Sequence, residues 1–268
     1  RASRRSGRSN RVGIARLSHP KDATAWMGPW LCCVYSQTMV STIRVVSLVP
    51  SVTETLLEWG IEPVACTRFC EQPEIEHIGG TKNPDLGAIE ALAPDLVVLD
   101  REENRLEDYE SLVSRGLKVE ALHVASVLDV DSEVGRLASV VGAQWTHSLD
   151  APRASRDLKA FVPIWRRPWM TVSSRTYGAS LLNHLGIEVL FSDMGDAYPT
   201  IDDEALKVTK PDVVLAPSEP YPFGKRHLDL LEAIGPTFFI DGQDLFWWGS
   251  RTSEAIERLD LELGKIKR

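Results

Sequence analysis

Short apolar blocks alternate with amphipathic stretches along most of this chain. Strand-like blocks stand at 45–49, 63–66, 96–99 and 119–122, and between them apolar residues recur at helical spacing over 52–59, 86–92 and 107–115. Four strands separated by helices predict βα units and a mainly parallel sheet. Gly60 and Gly116 each follow a helical segment, where a left-handed cap needs glycine. A second set repeats the pattern, with strands predicted at 169–172, 189–190, 213–216 and 237–241 and helices at 180–185, 203–207, 225–233 and 253–266. The two sets share a signature. A strand, a helix and a closing Gly-Ile pair (Gly60-Ile61, Gly186-Ile187) precede a Pro-Asp strand (Pro94-Asp95, Pro211-Asp212), with 44–48 and 169–172 as the matching first strands.

Between the sets the strand signal disappears. Val130, Val134, Leu137 and Val141 recur at helical spacing, and Leu149, Leu158 and Phe161 continue the pattern. A helix over 146–161 would run 16 residues, about 24 Å, enough to cross between two lobes, provided Pro152 falls in its first turn. The expected organisation is α/β: two Rossmann-like lobes with mainly parallel sheets, at 39–125 and 167–268, joined through a helical connector at 126–166 by a single long backbone helix. Such a pair leaves a crevice at the carboxyl ends of its strands, where folds of this type hold ligands.

Composition narrows the partners. Of 268 residues, 43% are apolar, enough for two cores. Residues 1–38 hold seven Lys/Arg against one Asp, which leaves 23 basic against 37 acidic residues over 39–268, a net charge of −14 there. An acidic body argues against nucleic acid, whose phosphates need clustered Lys and Arg. Segment 1–38 is Arg/Ser-rich and without periodicity, and reads as a disordered or non-native leader. The expected location is cytoplasmic for a chain starting at Met39, and otherwise outside by an unrecognised signal. No run approaches the ~20 apolar residues of a membrane span. Cys32, Cys33, Cys66 and Cys70 form no C-x-x-C pair, so reduced thiols are expected.

The chain resembles the helical-backbone (class III) substrate-binding proteins of ABC importers, particularly the cobalamin-binding branch. The resemblance rests on Arg44-Val-Val-Ser-Leu-Val-Pro-Ser-Val-Thr-Glu-Thr55, on Gly79-Gly-Thr-Lys-Asn-Pro-Asp85, on the Pro-Asp strands and on 169–185, and it extends over nearly everything from Arg44 onward. It implies a shallow cleft that holds a cobalamin, haem, siderophore or metal ion, with small closure, no catalysis and no required cofactor. It also implies docking to a permease through one glutamate on each lobe. Glu204 fits the second-lobe position, whereas Gly87 stands where the first-lobe glutamate would be, with Asp85 and Glu90 as nearby acids. Tyr198 falls where the cobalamin binders place a cleft tryptophan, and Asp244-Leu-Phe246 resembles their Asp-Trp-Phe ligand loop. A monomer is expected. The alternative is a cytoplasmic corrinoid or metal carrier or sensor that serves no transporter.

The residues themselves suggest ligand contacts. A corrin-like ligand is broad and mostly apolar with a rim of amides, and asks for aromatic walls with a few polar anchors. Phe69, Tyr177, Tyr198, Tyr221, Phe246 and Trp247 lie in loops after predicted strands, with Asp244 among them. Ser51 and Thr53, with Glu54, sit where a strand hands over to a helix; they suit helix capping, and their hydroxyls can also border ligand. Arg101 belongs to the charged run Asp100-Arg-Glu-Glu-Asn-Arg105, which suits either ligand amides or solvent. Arg175 and Arg251 are further anion anchors. Cys70, Glu71, His77, His123, His184 and His227 are metal ligands by type only, because no histidine pair has a ligating spacing. Signatures of hydrolases, phosphate-binding loops and dinucleotide sites are missing, so no enzyme is expected.

Overall fold

The computed structural model describes residues 43–266. The expectation of a leader at 1–38 lies outside them.

The first lobe runs β1 (Val45–Ser47), α1 (Pro50–Glu58), β2 (Ala65–Cys66), β3 (Gly79–Gly80), β4 (Asn83–Pro84), α2 (Leu86–Ala91), β5 (Leu96–Asp100), α3 (Leu106–Ser114) and β6 (Val119–Leu122). Its sheet has the order β2-β1-β5-β6 with every pair parallel, and β3-β4 forms a separate antiparallel hairpin. Both faces of this sheet are covered, so β5 is buried at all five positions.

A helix, α4 (Asp129–Val141), leads out of this lobe. The second lobe then runs β7 (Leu158–Phe161), β8 (Trp169–Met170), α5 (Tyr177–His184), β9 (Ile187–Val189), β10 (Thr200–Ile201), α6 (Asp203–Thr209), β11 (Val213–Pro217), a 3-10 turn, α7 (Leu228–Glu232), β12 (Thr237–Ile240), α8 (Gly242–Phe246) and α9 (Thr252–Leu263). Its sheet order, β9-β7-β11-β12, again all parallel, matches the first strand for strand. The duplication visible in the sequence is therefore a duplication of topology.

Two expectations are corrected. The helix between the lobes is α4, 13 residues long, and 146–157 forms no helix. Gly142, at φ 75°, ends α4 in the left-handed conformation. Beyond it the chain crosses the end of α5, where Arg153 N–H donates to His184 O and Arg156 N–H to Gly186 O, both at 2.8 Å. Gly186 permits this crossing because a Cβ there would collide with Ala154 O. The backbone groups that a helix would have paired internally are thus paired with α5. The second correction concerns the first strand of the second sheet. It is β7, taken from residues the sequence assigned to the connector, while β8 pairs antiparallel with β10 outside the parallel sheet. Pro163 and Pro168 carry no N–H for a central ladder, which keeps that stretch out of it.

One hydrophobic core spans both lobes. Val45, Val52 and Leu56 of the first, Val130, Val134 and Leu137 of α4, and Leu181, Leu215 and Ile256 of the second belong to it. Along the same side, Arg251 donates to both carboxylate oxygens of Glu54 (2.7 and 3.0 Å), and Ser250 N–H donates to Thr55 Oγ1 (3.1 Å). Gly249, at φ +114°, brings its backbone so close to Thr55 that a Cβ would overlap the hydroxyl. The lobes are fused here, which leaves the carboxyl edges of the sheets as the open side.

Candidate ligand crevice

All four strands of each sheet point the same way, so the loops that follow them gather at one edge. In the first lobe the loop after β5 is held rigidly. Asp100 Oδ1 accepts from the N–H groups of Glu102 (2.8 Å) and Glu103 (3.2 Å), and Asn104 Nδ2 donates to Leu48 O (3.2 Å) and Thr81 O (2.9 Å). Lys82 Nζ donates to Glu102 O at 2.6 Å. This loop meets the second lobe directly: Tyr198 Oη donates to Glu102 Oε2 at 2.8 Å. A second bridge joins the loop after β2 to α8, where Gln243 Nε2 donates to Glu71 Oε1 at 3.0 Å.

Carboxyls dominate the space between these bridges. Burial pushes the Asp100 carboxyl up to about 6, against the opposing effect of its two N–H partners. Burial also pushes Glu103 up to about 8, reinforced by repulsion from Asp100, Cys70 and Glu219. Glu219, after β11, is raised by burial and by Asp241 and Glu71, while a hydrogen bond from Trp247 lowers it. Tyr198 is raised well above its ordinary value, first by burial and then by Glu102. Beneath them, a hydrogen bond from the Cys66 thiol lowers Cys70, and Thr53 and Thr67 hydroxyls add to this. Among the described residues no three His, Cys, Asp or Glu side chains are grouped to hold a metal ion.

Exposed aromatic rings stand in the loops that follow the strands of both sheets. Phe69 is 49% exposed under the Arg68 guanidinium, which lies 4.8 Å from the ring centroid. Trp165, beyond β7, is 47% exposed and packs edge-on to Tyr221 at 5.4 Å.

No family model matches the chain. It is 23% identical over 220 residues to the vitamin B12-binding protein of Pectobacterium carotovorum subsp. carotovorum (strain PC1), covering 73% of this chain and 78% of that one. To the vitamin B12-binding protein of Yersinia pestis (strain Pestoides F) it is 24% identical over 191 residues, covering 64% and 68%. Among solved structures it superposes on the periplasmic vitamin B12 binding protein of Vibrio cholerae with a TM-score of 0.67 and 16% identity, covering 82% of this chain and 96% of that one. A periplasmic heme binding protein from Pseudomonas aeruginosa gives 0.67 and 17%, covering 84% and 94%. The chain has the fold of the helical-backbone substrate-binding proteins.

Within this substrate-binding fold the sequence-derived site residues separate into groups. Phe69, Tyr198 and Tyr221 stand at the carboxyl edges of the sheets, and Arg101 is exposed beside them. Ser51 and Thr53 are buried where α1 begins. Neither caps the helix: the N-cap is Val49, Pro50 opens the first turn, and the Thr53 hydroxyl donates back toward Val49 O (3.1 Å) and lies 2.8 Å from Ser47 Oγ. Proline needs no N–H partner, which relieves the demand for a cap. Glu54 is engaged by Arg251 rather than by the helix end. Tyr177 is turned inward, its hydroxyl 3.3 Å from Thr252 Oγ1. Asp244 is buried and accepts two hydrogen bonds from Arg258 (2.7 and 2.8 Å). Phe246 lies against Gly178 of α5, and Trp247 carries the Arg251 guanidinium 5.0 Å from its ring.

Of these residues, Glu54 and Asp244 border a different concavity. A groove of about 650 Å³ lies between α1 and α9, lined by Glu54, Asp244, Arg251 and Arg258. Its arginines are paired with Glu54, Asp244 and Glu254. Glu219, Gln243 and Trp165 lie at the crevice and were missed by sequence reasoning. The available signal was positional: each lies shortly after a strand of the second sheet. Gly87 and Glu204 occupy equivalent places, two residues past the N-caps Asp85 and Asp202 of α2 and α6. Asp85 caps its own helix and Glu90 pairs with Arg115 at 2.6 Å.

Proposed function

We propose that this chain is a substrate-binding protein that holds a corrinoid or related metal chelate in the crevice between its lobes and delivers it to an ABC importer. The observation that carries this reading is the fold shared with vitamin B12 and heme binding proteins, on which this chain sets exposed aromatic rings from both lobes around one crevice. Flat, largely apolar macrocycles are held by such walls, with polar groups left for the rim. The named relatives are binding proteins, so the chelate is cargo and no reaction is assigned. Tyr198, Phe69 and Tyr221 are the proposed wall residues, with Ser51 and Thr53 beneath them.

Export accompanies this reading, since the structural relatives are named as periplasmic. Docking to a permease would use the exposed Glu204 at the start of α6. Gly87 leaves the equivalent place on α2 uncharged and favours a second reading, a chelate carrier or sensor that serves no transporter. Cell fractionation separates the two. Binding itself is tested by titrating the purified chain with cobalamin, cobinamide, haem and ferric siderophores while following tryptophan fluorescence. Saturable quenching by one of them is expected; silence toward all overturns the proposal.

A further inference from the structure

Two cysteines outside the proposed binding role lie against each other beneath the crevice. Cys66 ends β2, and Cys70 follows it across a turn closed by Cys70 N–H donating to Thr67 O at 3.1 Å. The turn folds both side chains into one small cluster with Ile75, against Leu57 of α1, and both sulfurs are reduced. Cys66 is 0% exposed and Cys70 3%.

The two thiols are not equivalent. The Cys66 thiol donates to the Cys70 sulfur, and Thr67 Oγ1 (3.2 Å) and Thr53 Oγ1 (3.3 Å) stand against the same atom. The bond from Cys66, with help from the two hydroxyls and against the opposing effect of burial, holds Cys70 down at about 6. The same bond and burial push the Cys66 thiol up. One member of the pair is thus a thiolate near neutral pH, and the other is a protonated thiol in contact with it. A nucleophilic sulfur here has a resolving partner already in place. Cys70 also raises Glu103 by charge repulsion, which couples the pair to the carboxyls of the crevice.

We infer that Cys66 and Cys70 are a reversible redox pair, in which Cys70 reacts with hydrogen peroxide and Cys66 closes the disulfide. The Cys70 thiolate attacks one peroxide oxygen, the O–O bond breaks, and a sulfenic acid and hydroxide form. The Cys66 sulfur then displaces the sulfenic oxygen, which leaves as water with the Cys66 proton. Two thiols are oxidised to one disulfide, and one peroxide is reduced to two waters once the hydroxide takes up the proton that Cys70 had released. A dithiol reductant restores both thiols and leaves as a disulfide itself. The oxidant has to be small, because neither sulfur is open to a bulky one. Closing the disulfide withdraws the Cys70 charge that acts on Glu103.

Trypsin gives a direct assay. It cleaves after Arg44, Arg68 and Lys82, so Cys66 and Cys70 fall on separate peptides, 45–68 and 69–82, unless a disulfide joins them. The full folded chain is treated near pH 7 with a few equivalents of hydrogen peroxide, its remaining thiols are alkylated on unfolding, and it is digested without reduction. A joined pair two hydrogens lighter than the sum of the two peptides is expected, and dithiothreitol before alkylation should abolish it. Cys66→Ser should leave Cys70 as a sulfenic acid that dimedone labels, whereas labelling of Cys66 in Cys70→Ser and not of Cys70 in Cys66→Ser would overturn the assigned roles. Both peptides fully alkylated, Cys70 carried to sulfinic acid beside an intact Cys66, or either cysteine joined to Cys32 or Cys33 instead, would each overturn the pair. So would an equal yield from the urea-unfolded chain, since closeness in sequence would then suffice. The wild-type digest decides the matter even where a variant fails to fold.

Discussion

Tyr198 Oη and Glu102 Oε2 meet at 2.8 Å although 96 positions separate them, and this hydrogen bond ties the two lobes together across the open side of the crevice. The opposite side is fused by Glu54–Arg251 and by the shared core. Relative motion of the lobes is therefore governed by the weaker, solvent-facing contact.

Tyr198→Phe removes that hydrogen bond and keeps the ring. Tyr198 is 39% exposed, so the cost in urea denaturation is expected to be about 1 kcal/mol or less. Hydrogen exchange in the loop before β10 is expected to quicken, while the core strands β5 and β11 stay protected. Unchanged exchange in that loop would mean that Tyr198 is no clasp.

Gly249→Ala tests the fused side. Its φ of +114° disfavours any side chain, and the added Cβ would overlap Thr55. Destabilisation of about 2 kcal/mol or more is expected, read as a lower urea midpoint. The double variant Gly249→Ala with Thr55→Ala should recover part of the loss, because only the steric share depends on the hydroxyl.

Glu103 and Asp100 set a pH dependence. Both carboxyls are raised in the folded chain, to about 8 and about 6, above the ordinary carboxylate range. The folded state thus keeps protons that the unfolded chain has already released, and this contribution favours folding at low pH. It is lost as pH rises, for Asp100 through about 6 and for Glu103 through about 8. Thermal melts are expected to fall over that window, and Glu103→Gln should flatten the upper part of the fall. A melting temperature that rises from about pH 6 to 8 would contradict the burial of these groups.

Gly87→Glu restores an acid at the place on α2 equivalent to Glu204. Its Cβ would meet only Asp85 Oδ1, at an ordinary 3.4 Å. Replacing glycine within a helix and placing a carboxylate in its first turn both favour the helix, so stability should rise by about 1 kcal/mol. A shift in urea midpoint measures it.

The sequence by itself determined the βα rhythm, the helix stops at glycines and the existence of two matched halves. These features depend on residues within a few positions of one another, and 96–99 and 213–216 read as buried parallel strands because each is an unbroken apolar run. The strand β7 was not legible. Leu158-Lys-Ala-Phe161 is too short to show a period, and the apolar positions before it mimicked a helix until Gly186 opened a path for a non-helical crossing. The fold family was readable from local motifs, whereas the composition of the crevice was decided only by tertiary structure. Glu71 and Gln243 lie 172 positions apart, and nothing local to either announces the other. Likewise Asp244, Tyr177 and Phe246 have the chemistry of ligand contacts in sequence, yet packing turns them toward Arg258, Thr252 and Gly178. Residue type shows what a side chain can bind; the side of the sheet edge on which it emerges depends on contacts that form only when the two lobes close on a common core.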